Sequence, residues 1–199
     1  MDVQRTIRSL NRRGFTVQYF ETAAAAADYL YGSISGKTVG IGGSVTIQQM
    51  GLYDRLTEDN TVFWHWVTND LPTRAAAAGA AVYLSSANAI SETGEIVNID
   101  GSGNRVSATL FNHERVVFIA GVNKLAPDLE RAMYRARNIA APLNVRRLKL
   151  NTPCAVAKEM RCYDCASAER ICNGFVTIVC PMKGVGVTEV VLVGEELGY

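Results

Sequence analysis

The chain has 199 residues, is 48% hydrophobic and 20% charged, and carries 20 Lys+Arg against 19 Asp+Glu, for a formal net charge of +1. That length suits one domain with its own core, and the apolar content excludes a disordered chain. Near-neutral charge disfavours a nucleic-acid or membrane-surface role, because nothing pulls the chain toward a polyanion. Val3, Ile7 and Leu10 recur at helical spacing and Gly14 closes that helix. Residues 15–20 are β-formers, and Thr22 caps an alanine-rich helix over 23–31. A short buried-type strand over 37–41 runs into Gly42-Gly43, and a helix begins at Ser44. A strand over 61–67 and a helix over 73–80 complete a βαβαβα pattern, which predicts a parallel sheet.

The pattern then changes. Residues 82–91, 95–99 and 105–111 are separated by Thr93-Gly94 and by the cluster 100–104, which predicts an antiparallel meander. A buried strand follows over 116–120. Pro127 opens a helix striped by Leu129, Met133, Ala136 and Ala140, and Pro142 helps to end it. Strands over 175–179 and 187–193 close the chain. The expectation is a single α/β domain over 1–199, with helices on both faces of a mixed sheet of about seven strands.

Two familiar motifs fail. Gly32 to Thr38 resembles a phosphate-binding loop but has three residues between its glycines where four are required, and it precedes its strand. Gly40-Ile-Gly42-Gly43-Ser44-Val45 lacks the third glycine of a dinucleotide fingerprint. The histidines are His65 and His113, too few for a three-histidine metal site. His65, between Trp64 and Trp66 in a strand, is expected to face away from both, in a surface or satisfied core role.

Four constellations could carry chemistry. In Gly40 to Thr46 a strand ends, glycines turn the chain and Ser44 caps a helix, which is the arrangement of an anion site at a helix start, and equally of a well-capped tight turn. Glu92, Asp100 and Arg105 surround two hairpin turns. A carboxylate there could act as base or nucleophile, but turns select these residue types without any site. Lys124, in Gly121-Val-Asn123-Lys124, follows a strand and could hold an anion or simply be solvated. The fourth is the cysteine segment over 154–180.

All five cysteines lie in that segment. No apolar run reaches the ~18 residues of a membrane span. The opening MDVQRTIRSLNRRG lacks the apolar core of a signal peptide, so a reducing cytoplasm is expected. There the cysteines are free thiols, redox groups or metal ligands. Four thiolates at Cys154, Cys162, Cys165 and Cys172 could close a zinc site or hold an iron–sulfur cluster, although their spacing fits no standard finger or ferredoxin. Cys162-Tyr-Asp-Cys165 also fits a redox pair, with the aspartate opposing a low thiolate pKa.

GIGGSVT (40–46), SSANAISETGEIVNIDGSGNRVSA (85–108), AGVNKLAPDLERAMYRARNIAAPLN (120–144), CYDCASAERICNG (162–174) and VVLVGEELGY (190–199) resemble the LUD-domain family (DUF162), the lactate utilization proteins of the B/C type. The resemblance implies a three-layer α/β fold like that of the sugar-phosphate isomerase and CoA-transferase superfamily. There a glycine loop binds the ligand's anionic part and a glutamate often does the chemistry. Those roles map onto Gly42, Gly43, Ser44 and Thr46, and onto Glu92 for catalysis; Asn88 in the hairpin block, and Asn123 and Lys124 after the strand over 116–120, are further ligand-binding candidates. Family members are implicated in oxidising L-lactate beside iron–sulfur partners. This chain lacks the appended ferredoxin-like motifs of the larger B-type member. Three functions are therefore expected to compete. The first is an accessory factor in lactate or related organic-acid oxidation with a zinc or iron–sulfur site. The others are an enzyme acting on a small anionic phosphosugar or acyl-CoA through Glu92, and a non-catalytic ligand-binding module. The expected partners are a small anionic ligand, iron–sulfur oxidoreductases and a second copy of the chain, with neither nucleic acid nor membrane.

Overall fold

A computed structural model describes all 199 residues. Its strands are β1 (Thr16–Phe20), β2 (Thr38–Ile41), β3 (Thr61–Trp64), β4 (Val82–Ser86), β5 (Ala89–Ser91), β6 (Ile96–Asp100), β7 (Arg115–Gly121), β8 (Leu125–Ala126), β9 (Gly174–Ile178) and β10 (Val187–Val193). Six of them make a wholly parallel sheet in the order β1-β10-β7-β4-β2-β3. The other four make a second sheet, β8-β5-β6-β9, in which β6 is antiparallel to both neighbours and β5 is parallel to β8. The strands thus divide between two sheets where the sequence suggested one.

The helices are α1 (Val3–Arg12), α2 (Ala23–Ser33), α3 (Val45–Gln49), α4 (Leu52–Leu56), α5 (Leu71–Ala78), α6 (Asn104–Ala108), α7 (Leu129–Arg135), α8 (Ala141–Arg147) and α9 (Pro153–Val156). The central strand β7 shows why both faces of the parallel sheet are covered. Val117 and Ile119 point into a core with Ala26, Leu30, Ile47 and Leu52 of α2, α3 and α4. Val116, Phe118 and Ala120 point the other way, toward Leu10 of α1, Ala77 of α5 and Ile90 and Ile96 of the second sheet. Side chains alternate with period two, so a strand apolar at every position must be buried twice. The result is a three-layer α/β fold. A third cluster, with Ala89, Val97 and Ile99 against Ala132 and Ala136, seats α7 on the outer face of the second sheet. No helix is long and apolar enough to cross a membrane.

Local chemistry fixes the ends of the elements. Thr22, Ser44, Asp70 and Asp128 each accept an N–H three residues on, capping α2, α3, α5 and α7. A Cβ on Gly40 would lie 2.2 Å from the Ala77 carbonyl oxygen, so only glycine lets α5 pack this closely on β2.

Three expectations are corrected. Residues 82–91 are two strands, because the chain leaves the parallel sheet after Ser86 and enters the second sheet at Ala89. Residues 104–108 are helical where a strand was expected. The Asp100 carboxylate accepts the N–H groups of Ser102, Gly103 and Val106 at 3.0, 3.0 and 3.2 Å, which curls the chain despite its β-branched residues. Pro142 does not end its helix. A π turn over Ala136–Ala140 joins α7 to α8, and Pro142 sits in the first turn of α8. Proline lacks an N–H to give and clashes with the carbonyl four residues back, and such a bulge absorbs both effects.

Candidate functional site

A cavity of about 610 Å³ opens at the carboxyl ends of the parallel strands. In open α/β sheets ligands bind there, because loops leaving adjacent strands diverge and leave a crevice. Gly43 to Thr46 line it after β2, His65 and Trp66 after β3, Ser86 at the end of β4, and Lys124 after β7. Gly198 and Tyr199, beyond β10, form part of the wall. Asp100 and Arg105 enter from the second sheet and α6, and Asn144 and Arg147 from α8.

Lys124 is the most unusual residue of this wall. It is 3% exposed, and Nζ donates to Thr46 Oγ1 and Ser86 Oγ, each at 2.8 Å. Neither acceptor carries charge. A buried ammonium normally has a carboxylate beside it, and none of the ion pairs includes Lys124. Burial, followed by repulsion from Arg135 and Arg105, pushes its pKa down to about 7. The segment beyond β10 closes over it. Thr46 Oγ1 donates to the Leu197 carbonyl at 3.3 Å, and Gly198, at φ +59°, has open space only for hydrogen, since a Cβ would lie 2.6 Å from Thr46 Oγ1 and 3.2 Å from Nζ.

The two guanidinium groups are held by the chain itself. Arg105 donates to Asn98 Oδ1 and the Ile99 carbonyl at 2.6 Å each, and pairs with Asp100 at 3.7 Å. Arg135 donates to the carbonyls of Asn88 and Asn123 at 2.5 and 2.9 Å. Arg147 lies over the Trp66 ring at 4.6 Å and bonds Asn144 Oδ1. Arg74 bonds Asn69 Oδ1 at 2.8 Å. The charged side chains of the lining are therefore Arg74, Arg105, Lys124 and Arg147 against one side-chain carboxylate, Asp100. That carboxylate is already committed to Arg105 and to the turn amides, so the cavity is electropositive.

The LUD-domain sequence model matches residues 3–193. The chain belongs to the LUD-domain family. No curated protein is similar enough to this LUD domain to be counted a relative. Its fold is similar to that of a DUF162 family protein from Deinococcus radiodurans, at a TM-score of 0.58 and 12% identity, over 96% of each chain.

Of the ligand-binding residues expected from the sequence, Gly43, Ser44, Thr46, Asn88 and Lys124 line the cavity of this LUD domain, and Gly42 and Asn123 do not. The Gly42 amide donates to the Leu84 carbonyl at 2.9 Å, so it is not free for a ligand. Asn123 instead ties down the last segment, accepting from Leu197 N and donating to the Gly198 carbonyl at 3.1 and 3.3 Å. The helix start at Ser44 belongs to the five-residue α3, too short for a strong dipole. Side-chain cations, not oriented amides, supply the positive charge.

Glu92 lies outside the cavity lining. Its carboxylate accepts the Asp2 N–H at 2.7 Å and Arg5 Nη1 at 3.4 Å, anchoring α1. Nearby Glu95 does the same with Arg13, Ser91 and Thr93. Burial works against its ionisation, but these bonds outweigh burial and lower its pKa.

The structure brings no three Cys, His, Asp or Glu side chains together as ligands. Arg137 Nη2 approaches the Cys162 sulfur at 3.7 Å and Asp164 at 3.0 Å, and Arg170 clips the carbonyls of Cys165 and Cys172 at 2.8 and 2.9 Å. Cys154 Sγ lies 3.2 Å from Thr152 Oγ1. Cys154, Cys162, Cys165 and Cys172 therefore do not fit a closed four-thiolate site, which needs every sulfur within ~2.3 Å of one ion.

Sequence reasoning missed several lining residues. His65 and Trp66 were placed in a strand, but β3 ends at Trp64 and the chain turns both into the cavity. Arg147 lies beyond the proline taken as a helix end. Ser86 carried no signal, since a serine at a strand end is ordinary.

Proposed function

We propose that this LUD-domain protein serves lactate or related organic-acid oxidation by binding a small carboxylate in the cavity at the strand ends. Family membership supports the metabolic setting. One observation carries the binding: Arg105 and Asp100 of the wall offset each other, which leaves Arg74, Lys124 and Arg147 with no further side-chain carboxylate among the lining residues. A wall with this excess of positive side chains attracts an anionic ligand. The cavity far exceeds a three-carbon acid and lies within the range of small-molecule sites, roughly 300–1,000 Å³. The ligand range accordingly extends to longer 2-hydroxy and 2-oxo acids. Iron–sulfur oxidoreductases are the expected redox partners, as the family resemblance implies.

The test is calorimetric titration with L-lactate, pyruvate and 2-oxoglutarate. Binding of at least one acid is expected, and it should weaken as salt rises. Arg147→Met should raise Kd about tenfold, the effect of losing ~1.4 kcal/mol of interaction. Lys37→Met should leave it unchanged, since Lys37 pairs with Glu114 away from the cavity. Failure of all three acids to bind would sink the proposal.

A further inference from the structure

We propose that Lys124 is an amine nucleophile that forms a Schiff base with the carbonyl of a 2-oxo carboxylate bound in the cavity. This rests on the binding proposed above and adds a covalent step to it.

The geometry carries the argument. A lysine kept for structure would face a carboxylate. Lys124 instead lines a ligand-sized cavity, beneath the segment that follows β10, with Nζ bonded only to the hydroxyls of Thr46 and Ser86 at 2.8 Å each. The charges acting most on it are the guanidinium groups of Arg135 and Arg105, both cationic. Such surroundings favour the neutral amine, the form with a lone pair to give. Both hydroxyls can accept or return a proton, and Ser86 Oγ lies 3.3 Å from Thr46 Oγ1, so the pair forms a short relay. The remaining cations of the wall can hold the carboxylate while the amine meets the adjacent carbonyl.

The step balances as follows. The Nζ lone pair forms a bond to C2 of the oxo acid, and the carbonyl π electrons move to oxygen. A proton passes from nitrogen to that oxygen through the hydroxyl pair, giving a carbinolamine. The hydroxyl leaves with one further proton as water, and a C=N bond remains. No oxidant or reductant is needed to form it.

The experiment incubates the full chain with pyruvate and sodium cyanoborohydride, which reduces the C=N bond to a stable secondary amine, and maps the adduct by peptide mass spectrometry. The expected result is an increase of one pyruvate plus two hydrogens minus one water. It should fall on Lys124, at least about tenfold above Lys37, Lys149, Lys158 and Lys183. L-lactate, which has the carboxylate but no carbonyl, should compete without forming an adduct. Because wild-type protein is mapped, the result does not depend on a variant folding; Lys124→Arg, where it folds, should lose the adduct. Pyruvate or 2-oxoglutarate binding without an adduct on Lys124, or labelling spread evenly over all lysines, overturns the Schiff base and leaves the binding proposal standing. Absence of both binding and adduct overturns both.

Discussion

Lys124 is buried in the cavity wall without a carboxylate partner, and that environment has a measurable consequence for stability. Its folded pKa, about 7, lies below the ordinary 10.5. Between those values the unfolded chain holds the proton and the folded chain does not. The unfolded state binds more protons, so stability rises with pH across that window. Below about pH 7 the folded state bears the full cost of a buried ammonium flanked by Arg135 and Arg105. Urea midpoints from pH 6.5 to 9 are expected to climb, with a slope of at most ~1.4 kcal/mol per pH unit from this group. Lys124→Met should flatten the profile and be relatively more stable at the acid end. A profile unchanged by that substitution would mean that the amine is solvated and ordinary.

At the scale of elements, the site exists because helices and strands pack closely enough to converge on it. Gly40 marks the tightest approach, where β2 meets the carbonyl of Ala77 in α5. Gly40→Ala places a Cβ where backbone already stands, and backbone cannot swing aside as a side chain can. The expected cost is about 1–3 kcal/mol or more, read as a lower urea midpoint with unchanged slope. The same scale explains the failures of local reading. Residues 105–111 have the composition of a strand, but the Asp100 carboxylate gathers three amides and winds the chain into α6. That turn delivers Arg105 to the cavity wall. Pro142 looked like a stop, and the π turn over Ala136–Ala140 let the helix run on to Arg147.

For the molecule as a whole, cysteines and charges are distributed differently from their order in the chain. The cysteines lie within 27 residues, 154 to 180, yet the fold leaves them dispersed, Cys180 exposed and the other four half-buried. All five are therefore expected to react with Ellman's reagent in the native, reduced protein. Fewer than two reactive thiols, together with stoichiometric zinc or iron after anaerobic purification, would show that the segment rearranges to gather its sulfurs. The charges do the opposite. Arg74, Arg105, Lys124 and Arg147 are far apart in sequence and come from separate elements, and they meet around one cavity.

Much of the architecture was legible in residue order. Runs such as Arg115–Gly121 and Val187–Val193 are apolar at nearly every position, which marks strands covered on both faces, and Thr22 and Ser44 announce their helices as caps. The family blocks singled out Gly43, Ser44 and Thr46, and the residue reading added Asn88 and Lys124; all five line the cavity. The strands and caps were readable because periodicity and capping act over a few residues, whereas the binding roles of the glycine loop came from the family resemblance. Tertiary structure alone decided that Gly42 spends its amide on Leu84, that Glu92 anchors α1, and that Lys124 meets hydroxyls instead of a carboxylate. Those outcomes depend on which distant segments the sheets bring into register, and the energy of a buried charge is set by neighbours that no local window contains.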